Sequence, residues 1–226
     1  FKILNALWRK RKLSHFSTAI SCHIYHTKAT GPNLGVIEFV EGCFPLAQFT
    51  RLRPVTPKKI ERLIGSGAGS YIGAYIVGIR DRHADNIMIR SDGLMFHIDF
   101  GHALGNTVLL DAPAFAVTKQ FKDELGNAGY GEFIERCVEA FRVLREPENV
   151  ALLCDYVPMV FSAIYPEQKV RDYLAKSLML NLDTDEACKS LHKMITNAPN
   201  SYRTFFKNKV HRIAQASKTG SGLGKI

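Results

Sequence analysis

The stretch from Gly78 to Gly105, GIRDRHADNIMIRSDGLMFHIDFGHALG, constrains the fold of this chain more than any other. Asp92-Gly93 sits between the apolar runs Ile87 to Ile89 and Leu94 to Ile98. Asp-Gly in that setting is a strong short-range hairpin signal, because both central residues of a type I′ turn need positive φ. With Asp92 and Gly93 as a two-residue loop, Ser91 faces Leu94, and Asn86 is expected opposite Asp99. Opposed residues of an antiparallel pair point to one face with Cα atoms about 4.5 to 5.5 Å apart. An amide oxygen and a carboxylate are therefore expected together at the open end of the hairpin. Two hard oxygen donors suit Mg²⁺, which keeps several waters and is held by one or two protein groups plus substrate phosphates.

The rest of the chain reads mainly as helix. Ile3, Leu4, Leu7 and Trp8 have the spacing of one helical face, followed by the basic run Arg9 to Lys12, which suits a helix C-terminus. Gly35 to Val40, GVIEFV, is a short strand that composition alone would place in a core. Phe44 to Lys59 holds three prolines and reads as a loop with a short helical turn. A helical pattern runs from Lys58 to Ile79 and straight through GSGAGS, Gly65 to Ser70. A phosphate loop is rejected there, since no strand precedes it and no GK[ST] follows, so the glycines are assigned to close helix packing. From Gly131 onward a stripe of Phe133, Ile134, Cys137, Phe141, Val143 and Leu144 predicts a helix closed by Pro147. Further helices are expected over 150–164, 170–182, 185–197 and 202–216, with a disordered Gly- and Ser-rich tail over 217–226.

Composition narrows the class. An apolar share of 46% and a charged share of 23% are those of an ordinary globular protein, with no apolar run long enough for a membrane helix. The chain opens at Phe1 without a charged, apolar, small-residue leader, which reads as a cut rather than a natural beginning. Five cysteines, Cys22, Cys43, Cys137, Cys154 and Cys188, are widely spaced without a CxxC pair and argue for reduced intracellular thiols. A metal knuckle at Cys22, His23 and His26 lacks a fourth ligand. The net charge of +9 fits an anionic partner. Arg203, Lys207, Lys209 and Arg212 among Phe205, Phe206, Val210 and Ile213 have the pattern of a basic amphipathic helix that lies on a bilayer. Nucleic acid is not expected, because charge is unsupported by any motif.

Asp81-Arg82-His83, Asn86, the hairpin and Asp99-Phe100-Gly101 form one ordered block that resembles the catalytic core of the phosphoinositide 3-kinase and 4-kinase superfamily, whose order is DRH where protein kinases have HRD. The phrase MFHIDFGHALGN, Met95 to Asn106, resembles phosphoinositide 3-kinases most closely. The resemblance implies an α+β fold: the C-terminal lobe of a protein-kinase-like fold, mainly helical with a catalytic β-hairpin, the N-terminal lobe missing. It divides the chain into the end of an N-lobe helix with the hinge strand (1–40), the helical catalytic lobe (41–216) and the tail (217–226). It implies ATP and Mg²⁺ as cofactors, with Asn86 and Asp99 as metal ligands. Asp81 and His83 are implied as the catalytic pair, His83 as base or γ-phosphate contact and Asp81 orienting or sharing that role. Glu38, Phe39 and Val40 match the hinge whose backbone meets adenine, and Met88 and Ile98 match positions lining the adenine pocket, with core packing as the competing account. Pro113 to Phe115 and Thr118 resemble the residues that lead back into the helical lobe.

The implied activity is transfer of the ATP γ-phosphate to the inositol 3-hydroxyl of phosphatidylinositol lipids. The implied setting is cytoplasmic and peripheral on membranes, with an anionic membrane surface and a regulatory subunit or domain as partners. Neither a glycine-rich strand turn over the phosphates nor a strand lysine is present, so the isolated 226 residues are expected to be inactive. The region around Pro54 and Pro57 and the activation segment are shorter than the family pattern. Arg80 keeps a phosphatidylinositol 4-kinase reading open, while His102 and the HALGN run favour a 3-kinase. A serine/threonine protein kinase of the phosphoinositide-kinase-like group, or a non-catalytic interaction fragment, are the remaining alternatives. Between Asp99 and Lys119 there is no Lys or Arg, which favours phosphatidylinositol over its bisphosphate, because added phosphates call for basic partners.

Overall fold

A computed structural model describes residues 1–32, 34–79, 84–101, 103–104, 115 and 117–200. The fold is built around one helix, α2, Pro57–Ile76. Pro57 occupies its first turn, where the missing N–H costs nothing, and the Thr56 side chain accepts from Lys59 N–H. From Leu63 to Ile76 every residue is buried. A helix buried all round must be thin where other backbone crosses it, and Gly65, Gly69 and Gly73 provide that on one face. A Cβ at Gly65 would lie 2.8 Å from Thr18 Cγ2, at Gly69 2.4 Å from the Ser21 carbonyl, and at Gly73 2.5 Å from Cys22 Sγ. The packing assignment for GSGAGS thus describes what this helix does.

Around α2 lie α1 (Lys2–Lys10), the short pair β1 (Ser14–His15) and β2 (Thr18–Ala19), and the hairpin β3 (Thr27–Gly31) and β4 (Leu34–Ile37). β5 (Cys43–Pro45) follows and leads into a 3-10 turn at Leu46–Leu52. After α2 come β6 (Ile87–Arg90), β7 (Met95–His97), α3 (Lys119–Leu144), α4 (Pro147–Phe161), α5 (Glu167–Ser177) and α6 (Thr184–Asn197). The expected α+β lobe, mainly helical with small antiparallel sheets, is the one observed. Trp8 Nε1 donates to the Ala140 carbonyl at 2.9 Å and ties α1 to α3; Ser177 Oγ donates to the Ile76 carbonyl at 3.1 Å and ties α5 to the end of α2.

Three local expectations need correction. Cys43–Pro45, read as loop, is a strand that pairs with β6 through Cys43↔Arg90, Phe44↔Ile89 and Pro45↔Met88. It is an edge strand, where proline is tolerated. GVIEFV is no core strand: among the described residues β4 pairs with β3 alone, and every described residue of both is exposed. The third helix begins twelve residues before Gly131, at Lys119, where Thr118 Oγ1 accepts from Phe121 N–H at 3.1 Å. A bend at Gly126 (φ 68, ψ 176) lets it turn. The run Arg9 to Lys12 ends α1 as expected, yet Arg11 is paired within the chain, donating to Glu146 Oε2 from Nε at 2.9 Å and from Nη2 at 2.7 Å. Cys22 is buried, donating from Sγ to the Gly69 carbonyl, and burial pushes its thiol up to about 12. The expected helix over 202–216 and the tail lie outside the described residues.

Candidate active site

The hairpin forms where the sequence placed it, with a register one residue away from the expected one. Observed pairs are Ile87↔His97, Met88↔Phe96 and Ile89↔Met95. Gly93 N–H donates to the Arg90 carbonyl at 2.8 Å, Arg90 N–H to the Leu94 carbonyl at 2.7 Å, and Gly93 has φ +96. This is a three-residue loop, Ser91 to Gly93, with a left-handed glycine closing it, not the two-residue turn. A one-residue slip exchanges the faces of a strand. Asn86 therefore opposes Ile98, whose N–H donates to the Asn86 carbonyl at 3.0 Å, and it does not oppose Asp99.

Several contacts fix this register. Asp92 Oδ2 accepts from Arg62 Nη1 at 2.6 Å and from Arg90 Nη2 at 2.7 Å, and Asp92 Oδ1 accepts from Leu94 N–H at 3.2 Å. Burial acts to raise the Asp92 carboxyl, but these hydrogen bonds and the two guanidinium charges together hold it below its ordinary value. A Cβ at Gly93 would lie 2.3 Å from the Lys59 carbonyl, so the tip wedges against the first turn of α2. Along β7, Ser66 Oγ accepts from Met95 N–H at 2.9 Å and Ser70 Oγ donates to the Met95 carbonyl at 3.2 Å. Sequence reasoning missed these two serines. Their signal was present: polar groups at i and i+4 on a helix buried all round need partners.

The hairpin has two unlike faces. Ile87, Ile89, Met95 and His97 are buried toward α2, with Tyr71 of that helix meeting the His97 ring edge-on at 5.2 Å. The other face carries Asn86, Met88, Phe96 and Ile98 in register. Met88 and Ile98 are both half-buried there, so the structure brings the two expected pocket residues and Asn86 onto one face. Asn86 is 8% exposed. Had β7 continued, Asp99 would share the core face with Met95 and His97. Its backbone is instead left-handed, φ 59, which ends the strand and leaves the residue exposed. Asp99 Oδ1 accepts from Gly101 N–H at 3.3 Å. Such a conformation at a non-glycine residue is costly, and it gathers at functional sites where the surroundings hold it.

Of the other expected site residues, Asp81 and His83 lie outside the described residues. Glu38 and Phe39 are exposed, Phe39 by 85%, and Val40 is half-buried. Glu38 N–H donates to the His26 carbonyl at 2.8 Å, while Glu38 Oε2 accepts from His26 N–H at 2.7 Å, closing the β3–β4 ribbon. Phe115, from the segment expected to lead back into the lobe, is buried and stacks on Tyr75 at 4.9 Å, and Thr118 caps α3. As a test of fit to Mg²⁺, the open end of the hairpin offers one amide and one carboxylate oxygen donor. Among the described residues no group of three or more His, Cys, Asp and Glu converges. That donor set is what a metal held largely by substrate phosphates and water requires, and it fits.

Residues 57–154 match the family described as Phosphatidylinositol 3- and 4-kinase. That span contains Asp81, His83, Asn86, Met88, Ile98 and Asp99; Glu38 to Val40 precede it. Phosphatidylinositol 3-kinase 2 of Dictyostelium discoideum is 34% identical over 165 residues, covering 68% of this chain and 9% of that protein. The nodule isoform of phosphatidylinositol 3-kinase from Glycine max is 28% identical over 217 residues, covering 84% and 26%. The phosphatidylinositol 4-phosphate 3-kinase C2 domain-containing subunit alpha of Pongo abelii is 28% identical over 256 residues, covering 97% and 15%. The chain thus spans about a quarter or less of the length of these relatives. The last alignment is longer than the 226 residues here, so that relative carries residues with no counterpart in this chain.

Proposed function

This chain belongs to the phosphatidylinositol 3- and 4-kinase family, and we propose that it is the catalytic C-terminal lobe of a phosphatidylinositol 3-kinase, transferring the ATP γ-phosphate to the inositol 3-hydroxyl of a membrane lipid. The observation that supports this reading best is the hairpin itself. It presents Asn86 and an exposed, left-handed Asp99 at one end, directly after Asp81-Arg82-His83, within the span that matches the family.

Phosphoryl transfer asks a protein for positioning and charge neutralisation rather than covalent chemistry. Asn86 and Asp99 would hold Mg²⁺, which would supply that neutralisation of phosphate charge. His83 serves as base or γ-phosphate contact and Asp81 orients it or shares the role. Met88 and Ile98, diagonal neighbours on one hairpin face, meet the adenine ring, with Glu38 to Val40 along its edge. The enzyme works in the cytoplasm, peripheral on an anionic membrane, with a regulatory subunit or domain.

The segment from Asp99 to Lys119 lacks any Lys or Arg, which favours plain phosphatidylinositol over a phosphorylated headgroup. Arg80 favours a 4-kinase as the second reading. The test offers the full-length protein phosphatidylinositol, its 4-phosphate, its 4,5-bisphosphate and a peptide mixture with Mg-ATP, and identifies the product isomer. A 3-phosphate on phosphatidylinositol is expected. A 4-phosphate supports the second reading, phosphopeptide moves the protein to the protein-kinase group, and no product from any substrate refutes the catalytic reading.

A further inference from the structure

We propose that Tyr25 is a positioning residue for Asp99, holding the His97 carbonyl before that carboxylate and the Phe100 ring after it; this rests on the reading of Asp99 as a metal ligand. Tyr25 lies in the segment between β2 and β3, which the helical and hairpin patterns did not single out. Its hydroxyl donates to the His97 carbonyl at 3.2 Å, two residues before Asp99. Its ring stacks on Phe100, one residue after Asp99, with centroids 6.3 Å apart and planes 15° from parallel. The same ring meets Phe96 at 5.8 Å, on the hairpin face that carries Asn86, Met88 and Ile98. One side chain thus contacts positions 96, 97 and 100 by three separate contacts.

Tyr25 is itself held at both ends of its segment. Cys22 exchanges two hydrogen bonds of 2.8 Å with the Asn5 side chain on α1, and its thiol donates to Gly69 on α2 at 3.2 Å. His26 is held by Glu38 through the two hydrogen bonds that close the β3–β4 ribbon. Between these anchors His23 packs on Phe96 at 5.0 Å. Asp99 needs such an outside hold. The left-handed φ of 59 is unfavourable for a residue with a side chain, and the cross-strand hydrogen bond from Ile98 N–H to the Asn86 carbonyl holds only the residue before it. A hydrogen bond before the residue and a ring contact after it fix both ends of the short arc that aims the carboxylate.

The test uses full-length protein with Tyr25→Phe, which keeps the ring and removes the donor, and Tyr25→Leu, which removes both. Mn²⁺ binding in the presence of a non-hydrolysable ATP analogue is read by electron paramagnetic resonance, a readout independent of turnover. Partners that orient a metal ligand are worth about 10- to 100-fold in metal affinity; acting through the backbone, Tyr25→Leu is expected to weaken Mn²⁺ about tenfold and Tyr25→Phe about threefold. Tyr130→Phe serves as control, since it removes a comparable hydroxyl-to-carbonyl bond, 2.7 Å to Ile195, between α3 and α6. It should leave Mn²⁺ affinity unchanged. If Tyr25→Leu does not fold, Tyr25→Phe carries the comparison. Wild-type Mn²⁺ affinity in the folded Tyr25 variants, with binding abolished in Asp99→Asn, overturns the positioning role alone. Equal weakening in Tyr130→Phe overturns it too, by showing general loosening. Unchanged binding in Asp99→Asn overturns the metal reading and the proposal with it.

Discussion

Replacing Gly69 by alanine tests whether α2 is thin for packing. The added Cβ would lie 2.4 Å from both the carbonyl carbon and oxygen of Ser21 and 2.7 Å from its nitrogen. These are backbone atoms of a segment tied to α1 and α2, so no side chain can rotate away. Overpacking in a filled interior costs about 1 to 3 kcal/mol, and a backbone clash this close belongs at the upper end. Alanine gains back about 1 kcal/mol of helix propensity over glycine. The net expectation is a loss of about 2 kcal/mol. Gly67, on the same helix, gives the internal comparison: its Cβ would meet Met95 Sδ at 3.4 Å and Phe133 at 3.5 Å, close to ordinary contact. Gly67→Ala should keep most of the propensity gain and come out neutral or slightly stabilising. With a urea slope of about 3 kcal/mol/M, the two midpoints should differ by nearly 1 M. Coincident midpoints, or Gly69→Ala as stable as the parent with weakened ATP binding, would refute the packing account and restore a phosphate-binding role to Gly65 to Ser70.

Three further outcomes follow from the same contacts. Ser66→Ala leaves the buried Met95 N–H without its acceptor and should cost about 1 to 3 kcal/mol, more than Ser70→Ala, because a carbonyl tolerates a missing partner better than an N–H does; urea unfolding ranks them. The Asp92 carboxyl is held below its ordinary value in the folded chain, so its stabilisation is complete above about pH 4 and is lost as pH falls through the lower folded value. Asp92→Asn should therefore flatten the acid limb of stability below about pH 4, and an unchanged limb counts against the hairpin-tip clamp. His15 and His23 are both depressed, chiefly by burial, against which Glu132 at 3.5 Å acts to raise His15 and Glu38 acts to raise His23. The unfolded chain then binds more protons below about pH 6.5, so stability should fall as pH drops from 7 toward 5, and less steeply in His15→Phe. A flat profile would contradict their depressed values.

What could be read in the sequence tracks how local the determining interaction is. The hairpin and the helical course of α2 follow from patterns within a few residues, and both are observed. The register was misjudged because Ser91-Asp92-Gly93 suits a two-residue and a three-residue loop alike; the choice is made by Arg62 and Lys59, some thirty residues back along α2. The start of α3 was missed because Gly126, Gly129 and Gly131 mask its period, whereas Thr118 and the contacts of Phe121 with Tyr71 and Phe133 fix it in space. The exposure of Leu34, Val36, Ile37 and Phe39 was invisible, since an apolar alternation does not say which sheet will receive it. Asn86 and Asp99 both lie at one end of the hairpin, but the cross-strand pairing expected to join them does not form: Asn86 opposes Ile98, and the left-handed Asp99 backbone brings the carboxylate out of the core.

Asp99 and Asn86 are proposed to serve phosphoryl transfer. The most direct measurement is the rate of phosphate transfer from Mg-ATP to phosphatidylinositol by the full-length protein, beside Asp99→Asn and Asn86→Ala with circular dichroism and unfolding midpoints matched to the parent. A loss of about 10²-fold or more in kcat is expected for each variant. Parent-like kcat in a folded Asp99→Asn protein would contradict it.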